Sequence, residues 1–387
     1  LIDYSKTSFK KGYVKRKEIE RFIPFVKENP IELADSLLAE LKRQKKGFAD
    51  INEPFQLLSE QLKHYLDLHK EKKWLVIDAD IKSLKMGKKF PAIAAMKQNL
   101  LLMGDLPEKD TTDIYNENLI EGIKRFQQRN GFTPDGKLTK NLISLLNTTP
   151  EERIKQLLIN MNRMRWLPHE PDGKLILVNT PAFTLRVMEW KKEVFEMPVV
   201  VGKDGHNTTI FSDLLTTIVF SPYWNIPSSI VKSEIIPAME KDPTYLDRNN
   251  MEITKEVNGL PEIRQKPGEK NSLGKIKFLF PNSFNIYFHD TPAKSLFQKD
   301  TRAYSHGCIR LAEPAKLAAY LLEDDKGWDD RKIQSAMNMG EEKYVKLKEP
   351  VPVFISYYTA WVDDAGKLQF REDIYGHDAE VKKRMFL

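Results

Sequence analysis

The chain has 387 residues, of which 41% are hydrophobic and 30% are charged. This composition excludes wholesale disorder, and the length predicts two or three domains. The 61 basic and 55 acidic residues leave a net charge of +6, which is scattered along the chain. Because a nucleic-acid-binding surface needs basic residues clustered on one face, no nucleic-acid partner is predicted.

The sequence also predicts no membrane-spanning helix. Its longest apolar stretch, residues 351–362, contains Pro352 and Ser356 and is shorter than the about 20 residues that such a helix needs. No signal-like apolar core follows Leu1. We therefore expect any targeting segment, and any membrane anchor, to lie in an N-terminal segment that this sequence does not include.

The N-terminal part is expected to be all-α. In residues 1–82, leucines recur at helical spacing without any catalytic pattern, which predicts a helical scaffold. Residues 83–149 are predicted to form a compact module of three helices. Pro91 suits the first position of the first helix, residues 133–136 are predicted to form a turn, and Thr139 is expected to cap the third helix.

From about residue 174 the pattern changes to that of β-strands. Hydrophobic and β-branched residues form short runs between turn residues, and these runs are Leu175–Val178, Phe183–Trp190, Val194–Val201, Thr217–Phe220, Ile276–Leu279 and Asn285–His289. A single helix, opened by Pro314, follows them. We expect residues 150–387 to form a mainly β, sandwich-like domain with one packed helix. The polar segment 230–275 is too long for an ordinary loop and is predicted to cap a site.

Cys308 is the only cysteine, so it forms no internal disulfide and there is no cysteine cluster for zinc. It stands beside Gly307 and 19 residues after His289. A thiol with an ordinary pKa of about 8.5 needs a neighbouring base or cation to become a nucleophile, and His289 can be that base if the fold brings the two together. The alternative is that Cys308 is a small buried hydrophobe and the histidine an ordinary polar residue.

The residues around Cys308 suit the rest of an acyl-transfer site. In the run Ser305-His306-Gly307, successive backbone N–H groups can point at one oxygen, as an oxyanion hole requires. Arg310 is a candidate for binding a substrate carboxylate, or it neutralises a carbonyl-rich loop. The remaining histidines are scattered, and neither a metal site nor a cofactor is predicted.

With these residues the sequence resembles the L,D-transpeptidase catalytic domain. The resemblance rests on Ser305-His306-Gly307-Cys308-Ile309-Arg310 and on the upstream His289-Asp290-Thr291-Pro292. Residues 178–183 and 197–203 are similar to the first strands of that domain, and residues 220–227 match its longer members. The module at residues 83–149 resembles a peptidoglycan-binding domain, which in the long type precedes a catalytic domain with a capping insertion.

The resemblance implies a peptidoglycan cross-linking enzyme of the cell envelope, which is periplasmic in a diderm organism. Cys308 would attack a tetrapeptide stem and release D-alanine, and an amine of a second stem would resolve the thioester to give a 3→3 cross-link. His289 would be the general base. The backbone N–H groups of His306, Gly307 and Cys308 would bind the oxyanion. Carbapenems, which acylate this cysteine in the family, would inhibit the protein.

Three further residues are candidates for the substrate site, each with a structural alternative. The carboxylate of Asp290 is either a third catalytic group or a structural one. Tyr287 and Trp224 either line the donor pocket or belong to the core. The partners implied are the stem peptides and the glycan of peptidoglycan, although residues 83–149 either bind glycan or only support the catalytic domain.

Two other functions stay open from the sequence. An L,D-carboxypeptidase would resolve the thioester with water, whereas a lidded site would favour transfer because it excludes water. A wall-binding scaffold without catalytic activity is the third possibility. The intact Cys308 and His289 argue against it, since the loss of either would be its simplest signature.

Overall fold

The computed structural model of the protein describes residues 29–43, 53–164, 173–190 and 192–387. The predicted N-terminal scaffold is thus described only in part. The chain divides into two compact units, one combining residues 1–170 with 357–387 and the other comprising residues 171–356. None of the described helices is both long and apolar enough to cross a membrane.

The first unit begins with a series of helices, as predicted. Those described are α1 (Pro30–Arg43), α2 (Glu53–Glu71), α3 (Pro91–Leu102), α4 (Glu117–Arg129), α5 (Lys140–Leu146) and α6 (Pro150–Met164). Helix α3 starts at Pro91, and the Thr139 hydroxyl accepts a hydrogen bond from Leu142 N–H at 3.1 Å at the start of α5. The inner faces of α3, α4 and α5 share one hydrophobic core around Phe126. The predicted three-helix arrangement is therefore confirmed.

The second unit is mainly β, also as predicted. Its strands are β1 (Lys174–Asn179), β2 (Thr184–Glu189), β3 (Lys192–Gly202), β4 (Phe211–Phe220), β5 (Trp224–Asn225), β6 (Met251–Val257), β7 (Leu260–Gln265), β8 (Ile276–Leu279), β9 (Phe288–His289), β10 (Ala303–Ser305), β11 (Ile309–Leu311) and β12 (Lys343–Ser356). Nine of them form a sheet in the order β10-β3-β11-β9-β8-β4-β12-β1-β2. Because β3 also pairs with β2, the sheet closes on itself.

The helices of this unit are α7 (Ser228–Ile230), α8 (Ile236–Lys241), α9 (Tyr245–Arg248), α10 (Pro314–Leu321) and α11 (Asp330–Met337). Helix α10 is the one predicted from Pro314. The expectation of a single helix there is wrong, because α11 follows it. The Asp329 carboxylate caps α11 by accepting a hydrogen bond from Lys332 N–H at 2.8 Å.

The predicted capping segment has a small core of its own. We call residues 224–265 the cap. It contains α7, a π-helical turn at Val231–Ile235, α8, α9 and a three-stranded sheet in the order β5-β7-β6. Buried side chains from the helical and the β part meet at its centre, and these are Ile226, Ile230, Val231, Ile235, Met251 and Ile263. An apolar cluster of this kind makes the cap a packed element.

The end of the chain returns to the helical unit. Strands β13 (Ala360–Val362) and β14 (Leu368–Phe370) and helix α12 (His377–Met385) follow β12. Ala360, Phe370 and Met385 are buried in the same core as residues of α2 and α6. The compact β unit, residues 171–356, is therefore shorter at both ends than the expected catalytic domain.

Candidate functional site

Strand pairing brings together the segment that contains His289 and the segment that follows Cys308. Strands β9 and β11 are parallel neighbours in which Arg310 lies opposite His289. Ile309 N–H donates a hydrogen bond to the Tyr287 carbonyl at 3.1 Å. Cys308 directly precedes β11. Its Sγ atom lies 3.6 Å from the Asn285 carbonyl oxygen. The fold thus places the thiol beside the segment that carries the predicted base.

The buried imidazole of His289 is held in one orientation. Its Nδ1 atom lies 2.5 Å from the backbone carbonyl oxygen of Asp290. A carbonyl oxygen only accepts hydrogen bonds, so Nδ1 carries the proton and the lone pair is on Nε2. Burial, followed by the positive charge of Arg310, lowers the pKa of His289 to about 3. The ring is therefore neutral at physiological pH and able to accept a proton.

Tyr287 contacts both groups of the predicted pair. Its hydroxyl group interacts electrostatically with the thiol of Cys308, and its ring centroid lies 5.7 Å from that of His289. Desolvation raises the pKa of Tyr287 well above its ordinary value, so the phenol is protonated. Of the two interpretations that the sequence leaves open for Tyr287, this position favours the site over the general core.

Cys308 is partly exposed as a residue, although protein atoms surround its sulfur. Desolvation raises the pKa of Cys308, while the hydrogen bonds with Tyr287 and the charge of Arg310 oppose that effect without overcoming it. In the resting protein the thiol and the imidazole are therefore both neutral. Such a pair needs proton transfer at the moment of attack, not a preformed thiolate.

The carboxylate of Asp290 points away from the imidazole. Its Oδ2 atom accepts a hydrogen bond from Lys275 N–H at 2.9 Å, and its Oδ1 atom lies 2.6 Å from Lys294 Nζ. The backbone carbonyl of Asp290 orients His289, while its side chain binds the segment that leads into β8. This arrangement favours the structural alternative for the carboxylate.

The turn between β10 and β11 arranges the backbone around the sulfur. The Ser305 hydroxyl donates a hydrogen bond to the Cys308 carbonyl at 2.5 Å and accepts one from Gly307 N–H at 3.2 Å. Gly307 N–H, one of the expected oxyanion donors, is therefore occupied by a side chain. Among the described residues, the N–H groups of His306 and Cys308 have no acceptor.

The side chain of His306 connects the same turn to the cap. Its Nε2 atom lies 3.0 Å from Oε1 of Glu234, which belongs to the π-helical turn of the cap. The ring of His206 packs edge to face against that of His306, with 4.9 Å between centroids. The cap is thus in direct contact with His306, which lies two positions before Cys308.

Arg310 and Trp224 have different surroundings. The Nε atom of Arg310 is buried and, in the described part of the chain, has no hydrogen-bond partner. A guanidinium in this state suits a carboxylate supplied by a ligand. Trp224 is half-buried against the hydrophobic centre of the cap. Its role as a wall of the donor pocket stays a prediction.

Sequence patterns did not point to two residues beside the site. Glu234 lies within a polar insertion that carries several other charges. Thr208 follows β3 in a loop with no recognisable motif, yet its buried hydroxyl contacts Gly307. Within the described ranges, no three His, Cys, Asp or Glu side chains are grouped as ligands of a metal ion.

Comparison with known proteins agrees with this architecture. Residues 173–353 match the family model described as "L,D-transpeptidase catalytic domain". Residues 91–146 match the model described as "Putative peptidoglycan binding domain". A curated Haemophilus influenzae protein named "Putative L,D-transpeptidase" is 29% identical over 259 residues, which cover 62% of this chain and 52% of the relative. The chain thus spans about half the length of that relative.

Solved structures of low sequence identity are also similar in part. An L,D-transpeptidase from Mycobacterium smegmatis is 14% identical and has a TM-score of 0.27, with 48% of this chain and 58% of that chain covered. An L,D-transpeptidase from Stackebrandtia nassauensis is 15% identical and has a TM-score of 0.28, with 73% and 96% covered.

Proposed function

We propose that the protein is a peptidoglycan L,D-transpeptidase of the cell envelope that forms 3→3 cross-links. Residues 173–353 match the model of the L,D-transpeptidase catalytic domain, and residues 91–146 match that of the "Putative peptidoglycan binding domain". The observation that carries the proposal is the contact between the Cys308 thiol and Tyr287 beside a neutral, oriented His289. A nucleophile, a base and a group that orients the base are the elements of nucleophilic acyl transfer.

The first half-reaction acylates the cysteine. His289 Nε2 takes the thiol proton as the sulfur of Cys308 attacks the carbonyl carbon of the third residue of a tetrapeptide stem. The bond from that carbon to the D-alanine nitrogen breaks, and the proton passes to the departing amine, which leaves a thioester. The N–H groups of Cys308 and His306 stabilise the oxyanion. Loss of one such donor typically costs about 2.7–4 kcal/mol of barrier.

The second half-reaction transfers the acyl group. The side-chain amine of the diamino acid in another stem attacks the thioester carbon, and the C–S bond breaks. His289 accepts a proton from the attacking nitrogen and passes it to the departing sulfur, which restores the neutral thiol. The contact of Glu234 with His306 supports an acceptor side that the cap covers. Exclusion of water favours an amine over water as the acceptor.

Substrate binding is proposed to use the charge of Arg310. Stem peptides carry carboxylates near the bond that is cleaved, and the buried Nε of Arg310 has no partner among the described residues. Planar guanidinium groups bind carboxylates through two parallel hydrogen bonds. Arg310→Lys retains the charge but not that geometry, so we expect it to raise KM for the donor.

The experiment is intact-mass spectrometry of the protein after incubation with a disaccharide-tetrapeptide, with analysis of the products. We expect an adduct equal to the donor minus D-alanine in the wild type and none in Cys308→Ala, together with cross-linked dimers. Release of tripeptide without dimers would assign an L,D-carboxypeptidase. If the wild type formed no adduct with the donor or with a carbapenem, the enzymatic proposal would be rejected in favour of a wall-binding scaffold.

The peptidoglycan-binding domain is proposed to hold the enzyme on its polymeric substrate. Binding is tested by sedimentation of the protein with purified sacculi, comparing the full chain with a variant that lacks residues 83–149. Circular dichroism of the variant must first establish that the rest of the chain folds. Reduced sedimentation would support glycan binding by these residues, whereas unchanged sedimentation would leave them a structural role.

A further inference from the structure

Thr208, in the loop between β3 and β4, contacts the buried side of the turn that contains Cys308. Its side chain is almost completely buried. The hydroxyl donates a hydrogen bond to the Gly307 carbonyl oxygen at 2.8 Å and accepts one from Gly202 N–H at 2.9 Å. Since an N–H only donates and a carbonyl only accepts, both contacts of the hydroxyl are fixed in direction.

The contact with Gly307 has a consequence for the neighbouring peptide group. The Gly307 carbonyl and the Cys308 N–H belong to one planar, trans peptide unit, in which C=O and N–H point in opposite directions. When Thr208 holds the oxygen on the buried side, the N–H of Cys308 faces the opposite side. Gly307 permits this orientation because its φ is +110°, a conformation that other residues rarely adopt.

Two other polar groups of the turn already have hydrogen-bond partners. Gly307 N–H and the Cys308 carbonyl are both hydrogen-bonded to the Ser305 hydroxyl. Cys308 N–H, in contrast, has no acceptor within the described residues. Of the two N–H groups in this turn that have no acceptor among the described residues, that of Cys308 belongs to the residue that carries the sulfur. It is therefore suited to bind negative charge that appears only during the reaction.

We propose that Thr208 is a positioning residue that orients the Cys308 N–H as the principal oxyanion donor through its hydrogen bond to the Gly307 carbonyl. This inference rests on the proposed acyl transfer. Thr208 would act through the peptide plane, because its hydroxyl is bonded to the Gly307 carbonyl oxygen. Preorganised donors of this kind contribute most when their direction is fixed before charge develops.

The test separates acylation from thiol reactivity. Alkylation of Cys308 by iodoacetamide uses the same sulfur but develops no oxyanion, whereas acylation by a tetrapeptide donor or a carbapenem does. In Thr208→Val, which keeps the shape and loses the hydroxyl, we expect the acylation rate to fall by about 10- to 100-fold. The alkylation rate should stay within about twofold of the wild type, and kcat should fall more than KM rises.

Two variants serve as controls. Thr208→Ser retains the hydroxyl without the methyl group and is expected to restore most of the acylation rate. Thr209→Val makes the same change at the next, half-buried position and is expected to acylate like the wild type. If Thr208→Val does not fold, as judged by circular dichroism, Thr208→Ala provides the same comparison in a smaller side chain.

Each outcome decides the inference. Acylation at the wild-type rate in Thr208→Val, or an equal fall of acylation and alkylation, would overturn the positioning role while leaving the transpeptidase proposal intact. Failure of the wild type itself to acylate, with alkylation still proceeding, would overturn both. Only a selective loss of acylation that Thr208→Ser reverses supports Thr208 as the residue that orients the donor.

Discussion

The Nδ1 atom of His289 lies 2.5 Å from the backbone carbonyl of Asp290, while the carboxylate of Asp290 is engaged elsewhere. The group that orients the proposed base is thus a peptide carbonyl and not a side chain. A backbone oxygen cannot be removed by substitution, and it carries no full charge that would raise the basicity of the ring strongly. The neutrality of His289 is consistent with such a partner.

Asp290→Asn is therefore expected to acylate within about threefold of the wild-type rate, since the carbonyl that holds His289 is unchanged. His289→Ala should lose about 100-fold or more, because a positioned base typically contributes 10²–10⁴-fold. The measurement is the rate of thioester formation by intact-mass spectrometry at saturating donor. A loss in Asp290→Asn comparable to that in His289→Ala would make the carboxylate a catalytic group.

The neutral resting pair predicts a distinct pH dependence of alkylation. Desolvation raises the pKa of Cys308, and burial lowers that of His289 to about 3. Iodoacetamide should therefore react slowly at pH 7, and its rate should rise about tenfold per pH unit to beyond pH 8.5, because only the thiolate reacts. His289→Ala measures the contribution of the imidazole. A rate that is already constant below pH 7 would indicate a preformed thiolate–imidazolium pair instead.

Local sequence signals were sufficient for elements whose ends are set by a few neighbouring residues. Helix α3 begins at Pro91 and Thr139 caps α5, both as predicted, because proline fixes φ and the threonine hydroxyl satisfies an N–H at the start of a helix. The same kind of signal was present but unused at Asp329, which caps α11. The hairpin of β6 and β7 carried a similar signal in its Asn258-Gly259 turn. Both residues have positive φ, as this type of turn requires.

Contacts between distant parts of the chain had no such signal. The pairing of β9 with β11, which aligns Arg310 with His289, depends on the whole sheet. The return of residues 357–387 to the helical core depends on tertiary packing that no local periodicity records. The role proposed for Thr208 likewise depends on a loop that is 99 residues from Gly307 in sequence. Cys308 and His289 could be proposed from the sequence as nucleophile and base because that chemistry restricts residue type.

The contact between the cap and the turn that precedes Cys308 is expected to be weak but measurable. The side chains of Glu234 and His306 are 49% and 32% exposed, so their interaction is expected to contribute about 0.2–1 kcal/mol. Glu234→Gln should therefore increase hydrogen exchange in residues 228–241 by at most about fivefold. The matched control is Glu240→Gln, which changes an exposed carboxylate in α8. Equal exchange in the two variants would mean that Glu234 does not stabilise the cap.

Substitution of Gly274 tests how closely this residue packs against Asp290, whose carbonyl orients His289. Its φ is +63°, and a Cβ atom there would lie 2.3 Å from Oδ2 and 2.5 Å from Cβ of Asp290. Contacts this short require the backbone of one segment to move, and Asp290 supplies the carbonyl that orients His289. Gly274→Ala is therefore expected to lower both the unfolding free energy and the acylation rate.

The control for Gly274→Ala is Gly340→Ala, which shares the positive φ, at +77°, but has no atom within 4 Å of the added Cβ. Gly340→Ala should cost about 1 kcal/mol for the backbone conformation alone. Gly274→Ala should cost about 1–3 kcal/mol more because of overpacking, and only this variant should slow acylation. Urea denaturation and donor kinetics on both variants measure the difference. Equal stability and equal acylation in the two would show that Asp290 moves aside without disturbing His289.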